Sequence, residues 1–331
     1  MEGIYLGDLP RHDPMFDYLK HTVFPQYGSN CSEGIRVFST NGSNAVYIYE
    51  DRKSCRKVVG KFFYSGGNQN WKDAQKHLDR EYCNIRKIST YLREYHYIAR
   101  VLGRNDSLNC LLVVEYCSGE PLDRIIMRSI GNKDPGLLKQ KLGALADFFA
   151  AVHNHSAEKT KVDFDIVCGY FEKLLAELKE LLRDAEVKWF RELKSRWHRD
   201  PAMWQDCRVL VHGDATPSNF FFGDGKYVIS FDMERVRMAD RCFDVGRMAG
   251  ELQHFFLRTL HDRSRAEEFI SHFLREYTTF FPDREKAFAS ITHRIPFYMG
   301  TTLLRIARNS YLDYAYRRKL LESAEKCLRR A

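Results

Sequence analysis

The stretch Val211-His212-Gly213-Asp214-Ala215-Thr216-Pro217-Ser218-Asn219, followed by Phe220-Phe221-Phe222, Gly223-Asp224-Gly225 and Tyr227-Val228-Ile229-Ser230-Phe231-Asp232, decides the reading of this 331-residue chain. Two apolar runs flanking a Gly-Asp-Gly turn predict a β-hairpin. Asn219 and Asp232 are equally far from the midpoint between Gly225 and Lys226. A hairpin centred there sets them opposite each other at its open end, so that an amide oxygen and a carboxylate converge. Oxygen ligands of this kind, few in number and leaving room for water and phosphate oxygens, suit Mg²⁺ in a phosphoryl-transfer site. Asp214 opens the same loop and is placed to accept the proton of an incoming hydroxyl.

Outward from this block, the two halves of the chain differ in character. Ile35 to Ser39, Ala45 to Tyr49 and Lys57 to Tyr64 alternate and are separated by polar turns, which predicts an antiparallel meander after an irregular opening with a short helix near Pro14 to Leu19. Apolar positions Leu78, Ile85, Ile88 and Leu92 predict a helix over about Trp71 to Tyr95 with one buried face. Strands over about Tyr97 to Gly103 and Cys110 to Glu115 complete a five-stranded sheet with one long helix. Beyond Tyr116-Cys117-Ser118-Gly119-Glu120-Pro121, helical patterns dominate: Pro135 to His155, Val167 to Trp197, Asp240 to His261, Ser264 to Phe280, and Ile295 to the end. The domain reading is therefore 1–116 for a nucleotide-binding lobe and 117–331 for a helical lobe that carries the catalytic loop and the acceptor site.

His212-Gly213-Asp214, Asn219, Asp232, and Ala239-Asp240-Arg241 with Asp244 resemble, in order and spacing, the catalytic block of the aminoglycoside phosphotransferase and choline-kinase-like family. The resemblance implies a fold class of α+β: a two-lobed protein-kinase-like fold with a small antiparallel-sheet N-lobe and a larger, mainly helical C-lobe. It implies Asp214 as catalytic base, Asn219 and Asp232 as metal ligands, and His212, Asp240 and Asp244 as supports of the loop and of the helix that follows.

The N-terminal half supplies a separate signal. Lys61 interrupts the apolar run Val58-Val59-Gly60-Lys61-Phe62-Phe63, where a charge is costly without a partner. Glu81 shares the helical stripe of Leu78 and Ile85 and so points toward the sheet. The two resemble the lysine–glutamate pair that positions the α- and β-phosphates in kinase-like folds. An edge-strand lysine reaching solvent is the alternative. Ser39, Thr40, Gly42 and Ser43 occupy the place of a phosphate-covering loop, which an ordinary hairpin turn also explains. The linker strand Val113-Val114-Glu115-Tyr116-Cys117 resembles the kinase hinge, which implies that the Glu115 carbonyl and Cys117 amide meet the nucleotide base through main-chain atoms.

Composition sets outer bounds. Hydrophobic residues at 44% and charged residues at 29% exclude wholesale disorder. Nine cysteines without a C-x-x-C pair suggest neither a zinc ribbon nor a disulfide framework and fit a reducing cytoplasm. Nowhere are there eighteen consecutive apolar residues, so no membrane span is expected. A net charge of +8 argues only mildly for anionic ligands, and Tyr311, Tyr314 and Tyr316 beside Arg317 and Arg318 read as helix packing, so no nucleic-acid partner is expected.

The function expected is ATP- or GTP-dependent phosphorylation of a small-molecule hydroxyl, with Mg²⁺ and a sugar or amino alcohol as acceptor. Arg294, Arg305, Arg308, Arg317 and Arg318, with Tyr298 and Tyr311, lean toward a neutral or anionic sugar, against which stand Asp163, Asp165, Glu251 and Asp313. The alternatives are a nucleotide-binding pseudokinase acting as a regulatory module, and a protein kinase. The latter is opposed by H-G-D in place of H-R-D and by the absence of D-F-G at Phe231-Asp232-Met233.

Overall fold

Strand alternation and helix caps divide the work between two units. The computed structural model describes residues 3–40, 45–65, 70–132 and 135–330. One unit comprises the chain up to Thr90, Tyr97–Gly119 and Ile229–Glu234; the other comprises Tyr91–His96, Glu120–Val228 and the chain from Arg235 onward.

The first unit contains β1 (Ile4–Asp8), α1 (Pro14–Tyr18), β2 (Ile35–Ser39), β3 (Ala45–Asp51), β4 (Lys57–Phe62), α2 (Trp71–Ser89), most of β5 (His96–Ile98), β6 (Val101–Asn105) and β7 (Leu111–Glu115). Its antiparallel sheet has six strands in the order β1-β2-β3-β4-β7-β6, not the five expected. The added strand, β1, is five residues long, mostly exposed, and slips register between Tyr5 and Gly7, where Gly7 has φ of +124°. An edge strand without a buried face leaves no period-2 signal. The strand expected over Tyr97 to Gly103 is two strands, β5 and β6.

Helix α2 begins where Asn70 accepts a hydrogen bond from the Lys72 amide at 2.9 Å, and it buries Ala74, Leu78, Glu81, Ile85 and Ile88 on one face. It stops at Ser89, short of the expected Tyr95. The physical reason lies in the second unit, where the Tyr95 hydroxyl donates to Asp147 at 2.6 Å and His96 packs edge-on against Phe148. Those contacts pull the segment out of helical continuation. Leu19, Val23, Phe24, Ile35, Val58, Leu111 and Val113 are wholly buried in the core of the first unit, each contributing about 1.5–3 kcal/mol of burial.

The second unit runs β8 (Glu120–Pro121), α3 (Leu122–Asn132), α4 (Pro135–His155), α5 (Phe164–Glu177), α6 (Asp184–Arg199), β9 (Val209–Val211), β10 (Phe220–Phe222), the start of β11 (Val228–Ser230), β12 (Arg237–Ala239), α7 (Cys242–Leu260), α8 (Glu267–Thr278), α9 (Arg284–Ala307) and α10 (Tyr314–Leu328). The Gly-Asp-Gly turn is closed by Gly223 N donating to Tyr227 O at 3.2 Å and Tyr227 N to Asp224 O at 3.1 Å. The expected helix over Val167 to Trp197 breaks into α5 and α6, because Leu178, Leu181 and Leu182 are buried in the turn between them and Glu186 accepts from the Arg183 amide to start a new helix. The helix expected from Ile295 begins eleven residues earlier, at an Asp283 cap, and runs through Pro296; a second Asp cap, Asp313, restarts it as α10. α7 and α9 meet at Gly246 and Gly250: a Cβ on Gly246 would lie 2.4 Å from Tyr298 Cβ, and one on Gly250 2.8 Å from Thr302 Cβ.

No helix among the described residues is long and apolar enough to cross a membrane, and all nine cysteines are free thiols.

The second unit also buries histidines in the neutral state. Burial, reinforced by the charges of Arg258 and Arg305, drives His254 down to about 4, and burial lowers His153 against the pull of Asp244. Above pH 6.5 both folded and unfolded forms are neutral at these sites. As pH falls from 6.5 toward 4 the unfolded chain takes up the protons first, so stability falls. At pH 5, His254 alone is expected to cost about 2 kcal/mol relative to pH 7.5. Denaturation midpoints followed across this range check it; a flat profile would contradict the buried neutral state.

Candidate active site

In the first unit, β4 presents Lys61 between the backbone partners Val46 and Leu112, and α2 turns Glu81 toward it. Lys61 Nζ donates to Glu81 Oε2 at 2.6 Å and to Asp232 Oδ1 at 2.8 Å, and lies 3.9 Å from Glu234 Oε2. Burial works against the ammonium, but the two carboxylates outweigh it and raise the Lys61 pKa, so the lysine is charged. Burial pushes the Glu81 carboxyl up despite Lys61, with Asp232 and Glu234 adding to the push. Asp232 has φ of +61°, a left-handed conformation that aspartate tolerates better than most residues. The turn after it is tied to α2 by Asn84 Nδ2 donating to Met233 O at 2.7 Å.

One carboxylate oxygen from each of Glu81, Asp232 and Glu234 lies within 4.8 Å of the others. A set of hard oxygen donors without sulfur or imidazole fits Mg²⁺ better than zinc. Glu81 Oε2 and Asp232 Oδ1 both accept from Lys61, and Glu234 Oε2 faces the same ammonium.

Of the expected phosphate loop, Thr40 closes the end of β2 through N–H and Oγ1 donation to Val46 O at 3.2 and 3.0 Å, and Ser39 pairs with Tyr47. Gly42 and Ser43 lie outside the described residues. Glu115 ends β7, with its amide donating to Arg100 O at 2.9 Å and its carboxylate accepting from the Tyr97 hydroxyl. Cys117 is buried, and burial pushes its thiol up to about 12, so it is a neutral apolar contact.

In the second unit the loop after β9 is built around one carboxylate. Asp244, fully buried in the first turn of α7, accepts from His212 N at 2.6 Å, Gly213 N at 3.0 Å and His153 Nε2 at 3.2 Å. Burial pushes this carboxyl up, yet the donors around it, His153 foremost, bring it below its usual value. His212 Nδ1 in turn accepts from Asp214 N at 3.2 Å. Gly213 has φ of +80°, and a Cβ there would lie 2.1 Å from Arg235 O, so the position admits only glycine. Asp240 accepts from Cys242 N at 2.9 Å, Arg294 at 2.6 Å and the Tyr298 hydroxyl at 2.8 Å, fixing the start of α7 to α9.

Asp214, the residue expected as base, is largely buried and its Oδ1 accepts from Arg247 Nη1 at 2.6 Å and Arg305 Nη2 at 3.0 Å, with Arg235 Nε 3.9 Å from Oδ2. Burial raises this carboxyl, and Arg247, Arg305 and Arg235 together overcome it and hold it below the usual carboxylate range. Arg305 is itself held by Glu251 at 3.1 Å. Asn219 Nδ2 donates to Asp214 O at 2.9 Å, which fixes the orientation of the amide.

The structure thus brings Lys61, Glu81 and Asp232 together in one unit, and His212, Asp214, Asn219, Asp240 and Asp244 together in the other. Spacing arguments do not single out Glu234, Arg247 or Arg305. Glu234 carries a signal, a second carboxylate two residues after Asp232; Arg247 carries a weaker one, three residues after Asp244 on the same helix; Arg305 stands in the sequence only among the arginines expected at the acceptor, and the fold pairs it with Asp214 instead. Among the arginines expected at the acceptor, Arg294, Arg308 and Arg318 are paired with Asp240, Glu177 and Glu186, and Arg317 donates to Ala307 O.

Asp244→Ala would leave two buried backbone N–H groups and His153 Nε2 without their acceptor. The expected cost is about 3–5 kcal/mol, read as a lower denaturation midpoint, with faster amide exchange at His212 and Gly213. A loss under about 1 kcal/mol would mean that the loop is held by something else.

Residues 34–288 match the model of the phosphotransferase enzyme family. No curated protein sequence matches the chain. Among solved structures, the chain is similar to a choline kinase from Cryptosporidium parvum (TM-score 0.62, 10% identity, covering 95% of this chain and 94% of that one). It is also similar to an ethanolamine kinase from Plasmodium vivax (0.58, 16%, covering 95% and 86%). A third is an aminoglycoside phosphotransferase solved as a ternary complex with streptomycin and ATP (0.56, 14%, covering 97% and 99%). These likenesses establish a kinase-like α+β fold, and with the family match over most of its length the chain belongs to the phosphotransferase enzyme family.

Proposed function

We propose that the chain is a cytoplasmic ATP- or GTP-dependent kinase that phosphorylates a hydroxyl of a small molecule, of the sugar or amino-alcohol kind, with Asp214 as base. The observation that carries the reading is the fixed Asp214 loop: a carboxylate oriented by Asp244 through the backbone and by Arg247 through its own Oδ1.

Lys61, held charged by Glu81, neutralises the phosphates of the donor. Asn219 and Asp232, with Glu234 beside the latter, are the residues that would hold Mg²⁺, which when bound supplies charge neutralisation on the phosphate oxygens. Asp214 orients the acceptor hydroxyl. As the new bond from the acceptor oxygen to the γ-phosphorus forms and the bond to the leaving β-phosphate oxygen breaks, the hydroxyl proton passes to Asp214 Oδ2, the oxygen not taken by Arg247 and Arg305. A carboxylate held below its usual range takes a proton only once the bond to phosphorus is well formed, so orientation is the larger part of its role.

That same pairing supports a second reading. A carboxylate occupied by two guanidinium groups is also what a nucleotide-binding module without transferase activity would tolerate.

Nucleotide consumption with ATP or GTP and Mg²⁺ across a panel of alcohols separates the two. Under the kinase reading Asp214→Asn lowers turnover by about 10²–10⁴ while nucleotide affinity stays within a few-fold. Asp232→Ala weakens metal-dependent nucleotide binding as well as turnover. Equal loss of binding and turnover in both variants would sink the separate roles, and nucleotide binding without turnover on any acceptor would favour the module.

A further inference from the structure

A cavity of about 280 Å³ lies wholly within the second unit, walled by Tyr170, Met238 and Phe243 and reaching Gly213 of the Asp214 loop. Four of its lining side chains are arginines: Arg208, Arg235, Arg237 and Arg247. Two are carboxylates, so cationic groups outnumber anionic ones in the lining. Asp240 is already occupied by Arg294 and Tyr298, and Asp163 caps α5 by accepting from the Asp165 amide at 3.1 Å. The cavity next to the candidate base is therefore positive.

The arginines are unequally engaged. Arg247 is turned to Asp214 and Gly213 O, and Arg208 donates to Glu158 at 3.2 Å. Arg237 differs. Among the described residues its guanidinium makes one hydrogen bond, to Arg235 O at 3.3 Å, and lies 4.2 Å from the centre of the Phe243 ring, which Arg247 also approaches at 4.8 Å. Stacking orders the guanidinium without consuming its N–H donors, so most of its capacity for a carboxylate or phosphate remains unused. Its position is set closely: a Cβ on Gly213 would lie 2.9 Å from Arg237 Nη1. The guanidinium thus sits against the residue that precedes Asp214.

Resting on the kinase reading above, we propose that the acceptor carries an oxyanion, carboxylate or phosphate, which binds in this cavity on Arg237, with Arg235 beside it, and that its reacting hydroxyl is only a few bonds from that group. A cationic acceptor meets a lining of four guanidinium groups against two carboxylates, which selects against it. The walls of Tyr170 and Phe243 suit the apolar face of a sugar ring or a short carbon chain.

The test uses the full chain with matched alcohols: glucose, glucose 6-phosphate, glucuronate and glucosamine, and glycerol, glycerol 3-phosphate, glycerate and ethanolamine. Both nucleotide consumption and calorimetric binding are read, the latter with Mg²⁺ and a non-hydrolysable nucleotide present. The highest kcat/KM is expected for an anionic member, phosphate and carboxylate arms deciding which oxyanion. Arg237→Gln should raise its KM by about 10- to 100-fold, Arg237→Lys less, with nucleotide affinity as the control for folding. A neutral or cationic member as best substrate, or a KM moved less than about twofold by Arg237→Gln, would overturn the proposal. If no alcohol is phosphorylated, the kinase reading fails on its own. Binding of an anionic member lost in Arg237→Gln but kept in Asp214→Asn would then still support the site, and no binding of any anionic member would overturn it.

Discussion

The buried carboxylate of Asp244 is the constraint on which the rest of the second unit depends. Two consecutive backbone amides, His212 and Gly213, have no strand partner where β9 gives way to the loop, and a buried N–H without an acceptor is expensive. Asp244 accepts both, and an ionised carboxylate wholly out of water is tolerable only because His153 and these amides satisfy it. The same contact sets the direction in which Asp214 leaves the loop. The carboxylate proposed as base is fixed here by a second, wholly buried carboxylate.

Around that contact the second unit arranges its charges in a division of labour. Arg294 and Arg241 are spent on Asp206 and Asp240, joining the segment before β9 to α7 and α9. Buried pairs of this kind add little net stability, because desolvation offsets attraction, but losing one partner is costly, so they fix register. Arg247 and Arg305 are spent on Asp214. What remains toward the cavity is Arg237, ordered by an aromatic face instead of by a carboxylate.

The first unit solves a different problem, a lysine in an apolar strand. Glu81 comes from α2 and Asp232 from a segment about 150 residues later in the chain, so three distant stretches meet on one ammonium. The left-handed turn at Asp232 and the Asn84 bond to Met233 O hold that late segment in place.

The sequence by itself determined the residue types that chemistry requires and the local elements whose signals are short-range. His212-Gly213-Asp214, Asn219, Asp232, Lys61 and Glu81 are legible because a charge in an apolar run, or two polar residues framing a hairpin, violates the pattern around it. The α+β class and helix α4 are legible because periodicity and caps are local properties. Tertiary structure decided what depends on partners far along the chain. It ended α2 at Ser89 by engaging Tyr95 and His96 elsewhere, added β1 as an edge strand, carried α9 through Pro296, and chose which arginines are spent. Arg294, Arg308 and Arg318 look like acceptor ligands in sequence and are ion-pair partners in the fold, whereas Arg237, on a three-residue strand, faces the cavity. An arginine's role is set by which carboxylates lie within about 4 Å, and that distance is a property of packing, which no spacing along the chain encodes.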